Sequence, residues 1–402
     1  MSLDVRRWIE TVSGEGWRWY VKRLSGNDTL LNKSHQAGPY IPKEIIFRLF
    51  PSFTPSQDNP RASFGASIDS HNVEAFPTAI WYNNKLRGGT RDECRITGWG
   101  GKTSPLLDPD ATGAICVFAF HQEPGRDVDV CCVWLCEAVE EEDAIEDRLG
   151  PVEPGIALFY DASGKAAHPV EAQLRDSPCQ LKSEEIPSDW RLSFPQASQI
   201  VSLAIERLPT ALKQSPDDRL LRRRECEYAI FRSVEDIVAM PRIREGFATV
   251  DLFVDFANSV TNRRKSRAGA SLELHTGRIF TEEKLTHSHD EVSEGSKRPD
   301  FLFPSASAYQ DGNYPPDNLL MLAAKTTCKD RWRQILNEAD RIPKKHLLTL
   351  QRGVSPNQFA EMKAAGVTLV VPKSLHEQYS DTIRPELLSL TDFIKLARSK
   401  AG

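Results

Sequence analysis

Hydrolysing a phosphodiester calls for a divalent cation to polarise the phosphate, carboxylates to hold that cation, and a base or charge donor beside the attacking water. Residues of those types gather in the second half of this 402-residue chain. Asp300 enters a short apolar run, DFLFP at 300–304, and Lys325 stands near the end of the next, LLMLAAKTT at 319–327. As adjacent strands, the two runs bring acid and amine together, and a lysine there can stabilise phosphate charge or help deprotonate water. A helix expected from Lys329 to about Ile342 carries Glu338 a few turns in and Asp340 on a different face, so Glu338 turns back towards the strand ends. Glu273, in SLELH on the preceding helix, is the fourth candidate, and Mg²⁺ is the expected cation. Spacing of this kind is weak by itself, because a surface Asp, a strand-end Lys and an ordinary amphipathic helix produce it equally well.

The elements that must position these groups can be read from hydrophobic periodicity. Short apolar strands are expected at 300–304, 319–327, 346–350 and 367–372, with a helix at 355–366 closed by Gly366, together giving a mixed sheet flanked by helices. Further helices are expected at 196–207, 216–239, 249–260 and 266–284. The first part reads as mainly β, with strands at 113–120, 128–138 and 154–160 and one helix at 42–50 whose first turn Pro42 can occupy. Between the halves runs a polar, proline-containing stretch without sustained periodicity. The expected organisation is therefore α+β in two domains: 1–175, a linker at 176–195, and 196–402.

Composition narrows the function classes. A hydrophobic fraction of 40% and a charged fraction of 27% fit a soluble globular protein, and no apolar run is long enough to span a bilayer. The opening MSLDVRRWIE lacks a secretory signal, so a cytoplasmic location is expected. The eight cysteines show no zinc-site spacing; all are read as reduced thiols, with Cys131, Cys132 and Cys136 as small buried hydrophobes. The net charge of −5 gives no overall basic signal, but basic residues cluster at 222–224, 262–267 and 329–333.

Pro299, Asp300 and Lys325 resemble the PD-(D/E)xK nuclease pattern, with one departure. Ala323 occupies the place, two before the lysine, where the second acid usually stands. Glu338 can supply that acid from the helix, as in a subset of restriction endonucleases. The surrounding sequence is more specific: KTTCKDRWRQILNEAD, NSVTNRRKSRAGASLELH and RPDFLFPSASAY resemble EcoRII-type restriction endonucleases, and so do VKRLSGNDT, HQAGPYIP and RITGWG in the first half. The resemblance covers nearly the whole chain. It implies a B3-like DNA-binding pseudobarrel followed by an α/β restriction-endonuclease-like domain, acting as a dimer of type IIE. It further implies Mg²⁺-dependent double-strand cleavage of duplex DNA before the first cytosine of a CCWGG-like site, leaving 5′-phosphates. A second, effector copy of the site would relieve autoinhibition, and a protective cytosine methyltransferase is expected as the system partner.

For base reading, Lys329, Asp330 and Arg331 suit C·G pairs, since Lys and Arg donate to guanine and Asp accepts from cytosine N4. Arg224 and Tyr228, one helical turn apart, can enclose a flipped base, which the resemblance implies; an interior tyrosine beside a solvated arginine is the plain alternative. Arg222, Arg223 and the NRRKSR run are candidates for phosphate, or, for the run, a solvated helix entrance. His35, Tyr40, Arg91, Glu93 and Arg95 match positions that grip effector DNA in the family, whereas Gly89 and Cys94 replace basic side chains there. Trp99 is assigned to the core, and His287 and His289 to a solvated loop. Two competing classes are a non-cleaving DNA-binding regulator, which has no need of Asp300, Lys325 and Glu338 together, and a structure-specific nickase, which has no need of base-reading side chains.

Overall fold

A computed structural model describes residues 4–32, 38–161, 165–169, 177–209, 213–329 and 331–400. The chain divides into two compact units, one comprising Met1–Ala172 with Arg352–Phe359 and Gln378–Thr382, the other Gln173–Gln351, Ala360–Glu377 and Ile383–Gly402.

The first unit is built on strands β1 (Trp17–Arg23), β2 (Arg61–Ser63), β3 (Gly65–Ile68), β4 (Val73–Ala75), β5 (Thr78–Tyr82), β6 (Glu93–Thr97), β7 (Ile115–His121), β8 (Val130–Leu135), β9 (Leu158–Asp161) and β10 (Lys165–Pro169). A seven-stranded sheet runs β10-β9-β1-β7-β8-β3-β4, and a three-stranded sheet runs β2-β5-β6. The large sheet is apolar on both faces, which is why β7 reads as an unbroken hydrophobic run. Cys116, Phe118 and Phe120 point to one core, shared with Trp81, Cys94 and Ile96 of the small sheet and Ile45, Ile46 and Leu49 of helix α2 (Lys43–Leu49). Ile115, Val117 and Ala119 point to the other, closed by Trp8 of the first helix, α1 (Val5–Thr11), and Ile145 of α3 (Val139–Leu149). Pro42 caps α2 from outside rather than occupying its first turn. The acidic run EAVEEEDAIED at 137–147 is in part internal: Glu142 and Glu146 hold the buried Arg23 at 2.7 and 3.0 Å.

The second unit contains helices α4 (Ser188–Leu192), α5 (Ala197–Arg207), α6 (Pro216–Glu245), α7 (Val250–Glu282), α8 (Ala306–Gln310), α9 (Pro356–Ala364) from Ala360 onward and α10 (Leu390–Lys400), and strands β11 (Ser288–His289), β12 (Phe301–Phe303), β13 (Leu320–Ala324), β14 (Lys345–Leu348) and β15 (Val367–Val370). Its sheet runs β11-β12-β13-β14-β15, antiparallel as far as β13 and parallel from there. Phe280 of α7 makes edge contacts with Phe301 and Phe303, fixing α7 against β12, the strand that Asp300 precedes. Gly366 follows α9 at φ 78°, the left-handed C′ position expected of it, and a Cβ there would come within 3.0 Å of the Pro343 carbonyl.

Four expectations are corrected. The two helices at 249–260 and 266–284 are one, because NRRKSR continues the helical register and its arginines bond sideways to α6. The stretch around 176–195 is no bare tether: Cys179, Leu181, Ile186 and Trp190 are buried in a core with α5 and α6. Not all cysteines are free, since Cys179 and Cys226 form a disulfide, brought together because that stretch packs on α6. The expected helix from Lys329 to Ile342 is a tighter 3₁₀ segment, Arg331–Asn337, and Asp330 lies outside the described residues. Two buried anchors inside that short run, Trp332 and Ile335, fix it to the core three residues apart, the repeat of a 3₁₀ turn.

Candidate active site

Asp300 is placed by the first residue pair of β12 and β13, Phe301 opposite Leu322. Its carboxylate accepts from the Ala324 amide at 2.7 Å and from Lys325 Nζ at 2.9 Å on Oδ2 and 3.3 Å on Oδ1. Lys325 follows the last residue of β13 and is pinned by its own amide, which donates to Leu348 of β14. Ala323, where the second acid is usual, is fully buried between strands. A carboxylate could not be ionised there without a partner. The second acid comes instead from Glu338, one residue past the 3₁₀ segment.

The acids act on one another's charge. Burial raises the Asp300 pKa above the ordinary value; Lys325 opposes the rise and Glu273 adds to it. Burial pushes Glu338 up to about 7, and the charges of Asp300 and Glu273 push in the same direction against Lys325 and Lys345. Glu273 projects from α7 and meets His289 Nε2 at 3.8 Å. Glu338 Oε2 is buried and has no hydrogen-bond partner.

This donor set fits a hard divalent cation: oxygen ligands, excess negative charge, and one carboxylate oxygen left without a partner. Among the described residues, no three His, Cys, Asp or Glu side chains are already closed around a common point. The Lys325 ammonium holds both Asp300 oxygens, so a cation would have to share Asp300 with it.

The remaining candidates fall in different places. Lys329 is half-buried and Arg331 exposed at the start of the 3₁₀ segment. Arg224 is buried with its Nε donating to Ser271, and the guanidinium above the Tyr228 ring, at 4.5 Å, is that of Arg267. Arg223 is fully buried and donates to both Glu282 oxygens at 2.9 and 3.0 Å, which removes it from the phosphate candidates; Arg222 is exposed. Arg264 and Arg267 of NRRKSR likewise bind Glu235 and Glu227, so the run is neither free for phosphate throughout nor a solvated entrance. His287 lies half-buried in the loop before β11 and packs against Phe280, and the exposed His289 lies on β11 itself, where it stacks on Phe301 at 4.9 Å.

In the first unit, Glu93 and Arg95 point outward from β6, with Arg95 3.2 Å from Glu93, and exposed Arg91 lies over Tyr82. Cys94, between them, points into the core, so the strand's alternation keeps that position from presenting any side chain outward. A Cβ on Gly89 would come within 2.7 Å of Asn84, so only glycine fits this turn without a shift. Tyr40 is exposed and its amide donates to Asp28; His35 lies outside the described residues; Trp99 is core. Sequence reading missed Lys345 and the pairing of His289 with Glu273. A lysine opening an apolar strand was the one available sign of the first.

Comparison with known proteins gives the class of the chain that carries these acids and this lysine. Residues 231–394 match the EcoRII C-terminal family, and residues 13–164 match the N-terminal family of restriction endonuclease EcoRII. The chain is 45% identical over 393 residues to the type II restriction enzyme EcoRII of Escherichia coli, covering 96% of this chain and 95% of that one. The chain belongs to the EcoRII family of type II restriction enzymes and is a site-specific nuclease. Among solved structures, metal-depleted Ecl18kI with uncleaved DNA is similar at 19% identity and a TM-score of 0.43, over 52% of this chain and 80% of that one. The UbaLAI restriction endonuclease B3 domain with cognate DNA gives 17% identity and a TM-score of 0.27, over 41% and 99%.

Proposed function

We propose that this chain makes Mg²⁺-dependent double-strand breaks at a short CCWGG-like DNA site, as a homodimer with one centre per strand. The observation that carries this reading is the cluster of Asp300, Lys325, Glu338 and Glu273, with Glu338 Oε2 buried and unpartnered. Asp300 and Glu338 would hold Mg²⁺ and Glu273 would assist. The bound ion supplies phosphate polarisation and a more acidic water. Lys325 would position that water and neutralise charge on the phosphate as the pentacovalent state forms. Lys329, Asp330 and Arg331 would read C·G pairs, and Arg224 and Tyr228 would enclose a flipped base after rearrangement.

The first unit would be a B3-like pseudobarrel that binds an effector copy of the site through His35, Tyr40, Arg91, Glu93 and Arg95, restraining cleavage until it does so. A cytosine methyltransferase would protect the host, and the enzyme would act in the bacterial cytoplasm; no described helix is long and apolar enough to cross a membrane. The test is plasmid cleavage with and without Mg²⁺, followed by sequencing of the ends. Uniform fragments that vanish with Lys325→Ala are expected. Cleavage by that variant at the native rate would sink the assignment.

A further inference from the structure

We propose that Lys345 is a positioning residue for cleavage, fixing from inside the protein the turn that aims Glu338; the inference rests on the reading of Glu338 as a metal ligand. Lys345 opens β14 and is only 4% exposed. Its amide is fixed to Gly366 at 3.0 Å, and its ammonium donates to the carbonyls of Glu338 and, at 2.8 Å, Ala339. A buried ammonium is costly unless its donors are used, so the stem and head are held in one arrangement.

The two carbonyls lie just past the 3₁₀ segment Arg331–Asn337, at its negative end, and the Ala339 carbonyl also accepts from the Ile342 amide at 2.9 Å. The Lys345 ammonium is a single group that reaches both. The turn needs such a hold, because Ala339 is completely buried at φ 49°, a left-handed conformation unusual for a residue with a Cβ. The turn is tied as well by its amides, Glu338 to the Ile335 carbonyl, Asp340 to Glu294 and Arg341 to the Tyr309 hydroxyl, each at 3.1 Å, and at its edge by Lys297 to the exposed Asp340 and Arg341 to the carbonyls of Tyr309, Asp311 and Tyr314. Glu338 itself contributes no side-chain bond through Oε2. The direction of its carboxylate therefore depends on its backbone, and Lys345 is the buried side chain that bonds the carbonyls of both Glu338 and Ala339. The strand holding Lys345 is also the one that pins Lys325, through Leu348, so one strand registers the lysine and the acid.

The test uses the full chain with Lys345→Met, Lys345→Arg and Glu338→Gln in parallel. Mn²⁺ binding is read by thermal shift without DNA, and cleavage by single-turnover rate at saturating metal. In Lys345→Met the half-saturating Mn²⁺ concentration and the rate should both worsen by about 10- to 100-fold, the range found when a residue supporting a metal ligand is removed. Affinity for target DNA in EDTA should stay within about twofold, since Lys345 is not placed to touch DNA. Lys345→Arg keeps the charge but not the geometry, and at least about a threefold loss of Mn²⁺ affinity is expected. A folded Lys345→Met with native Mn²⁺ affinity overturns the inference, as does native affinity in Lys345→Arg should the methionine variant fail to fold. Native Mn²⁺ affinity in Glu338→Gln would instead remove the reading of Glu338, a separate failure.

Discussion

Asp300 and Lys325 face each other at 2.9 Å in a part-buried site, yet the acid's pKa is raised, because burial outweighs the lysine. The balance is sharper at Glu338, which rises from 4.5 to about 7. A raised carboxyl pKa means that the folded chain binds the proton more tightly than the unfolded one. Its stabilising contribution is full below about pH 4.5 and is lost as pH rises through 7. Without metal, Glu338→Gln should therefore be more stable than the native chain at pH 8, by on the order of 1–2 kcal/mol after solvent screening, and equal to it near pH 4.5. Denaturant melts at the two pH values measure this. An identical difference at both would show that the ionised acid is not the cause. Cleavage should fall by at least about a thousandfold in Asp300→Asn and Lys325→Ala, about 4 kcal/mol of barrier each, measured as single-turnover rates at saturating Mg²⁺.

At the scale of elements, the basic clusters have an internal purpose. Arg219 and Arg223 bind Glu282, Arg267 binds Glu227, and Arg264 binds Glu235, so α6 and α7 are laced together by buried pairs. Glu227 is 1% exposed and takes Arg267 and the Ser271 hydroxyl. Glu227→Gln should cost about 3–5 kcal/mol, because it strands a buried guanidinium; a chemical melt within 1 kcal/mol of native would contradict that.

The same elements show what could be read in advance. β12, β13, β14, β15 and α9 were legible because their apolar runs end in clear stops, and Asp300 and Lys325 were legible because they mark two of those ends. The ladder was not, because α6 and α7 carry charge all round and periodicity cannot tell a paired arginine from a solvated one. The 3₁₀ segment was not, because its charged residues suit an α-helix and only the spacing of its buried anchors selects the tighter turn. The Cys179–Cys226 bond was not, because it joins residues 47 apart whose meeting depends on packing. Closing a loop of that length contributes about 4 kcal/mol by chain entropy, so a reductant should lower the unfolding temperature of the second unit, and Cys179→Ser should be insensitive to it.

At the scale of the whole molecule, a net charge of −5 is compatible with DNA binding because the basic groups left after internal pairing are local. Arg91, Glu93 and Arg95 form one such locality, with the carboxylate of Glu93 already drawn to Arg95. On the effector reading, a short duplex bearing the site should accelerate cleavage of a single-site plasmid, and a double Arg91→Ala, Arg95→Ala chain should lose most of that acceleration while keeping the basal rate. Acceleration undiminished in the double variant would move the effector site elsewhere.

With one acid just before a strand and the other on a turn, the proposed ligand set divides by mechanical character. Asp300 adjoins a ladder whose amides are bonded across two neighbours, while Glu338 depends on a single irregular turn and the side chains behind it. Local opening of the turn need not disturb the sheet. Amide hydrogens at 338–341 should therefore exchange with solvent deuterons faster than those at 301–303 and 320–324 in the free protein, and slow selectively when a cation is added. The strand-borne pair of the usual PD-(D/E)xK pattern would tie both acids to the slowest-exchanging part of the domain; with Ala323 in that place, the second acid of this chain would be free to come and go with its turn.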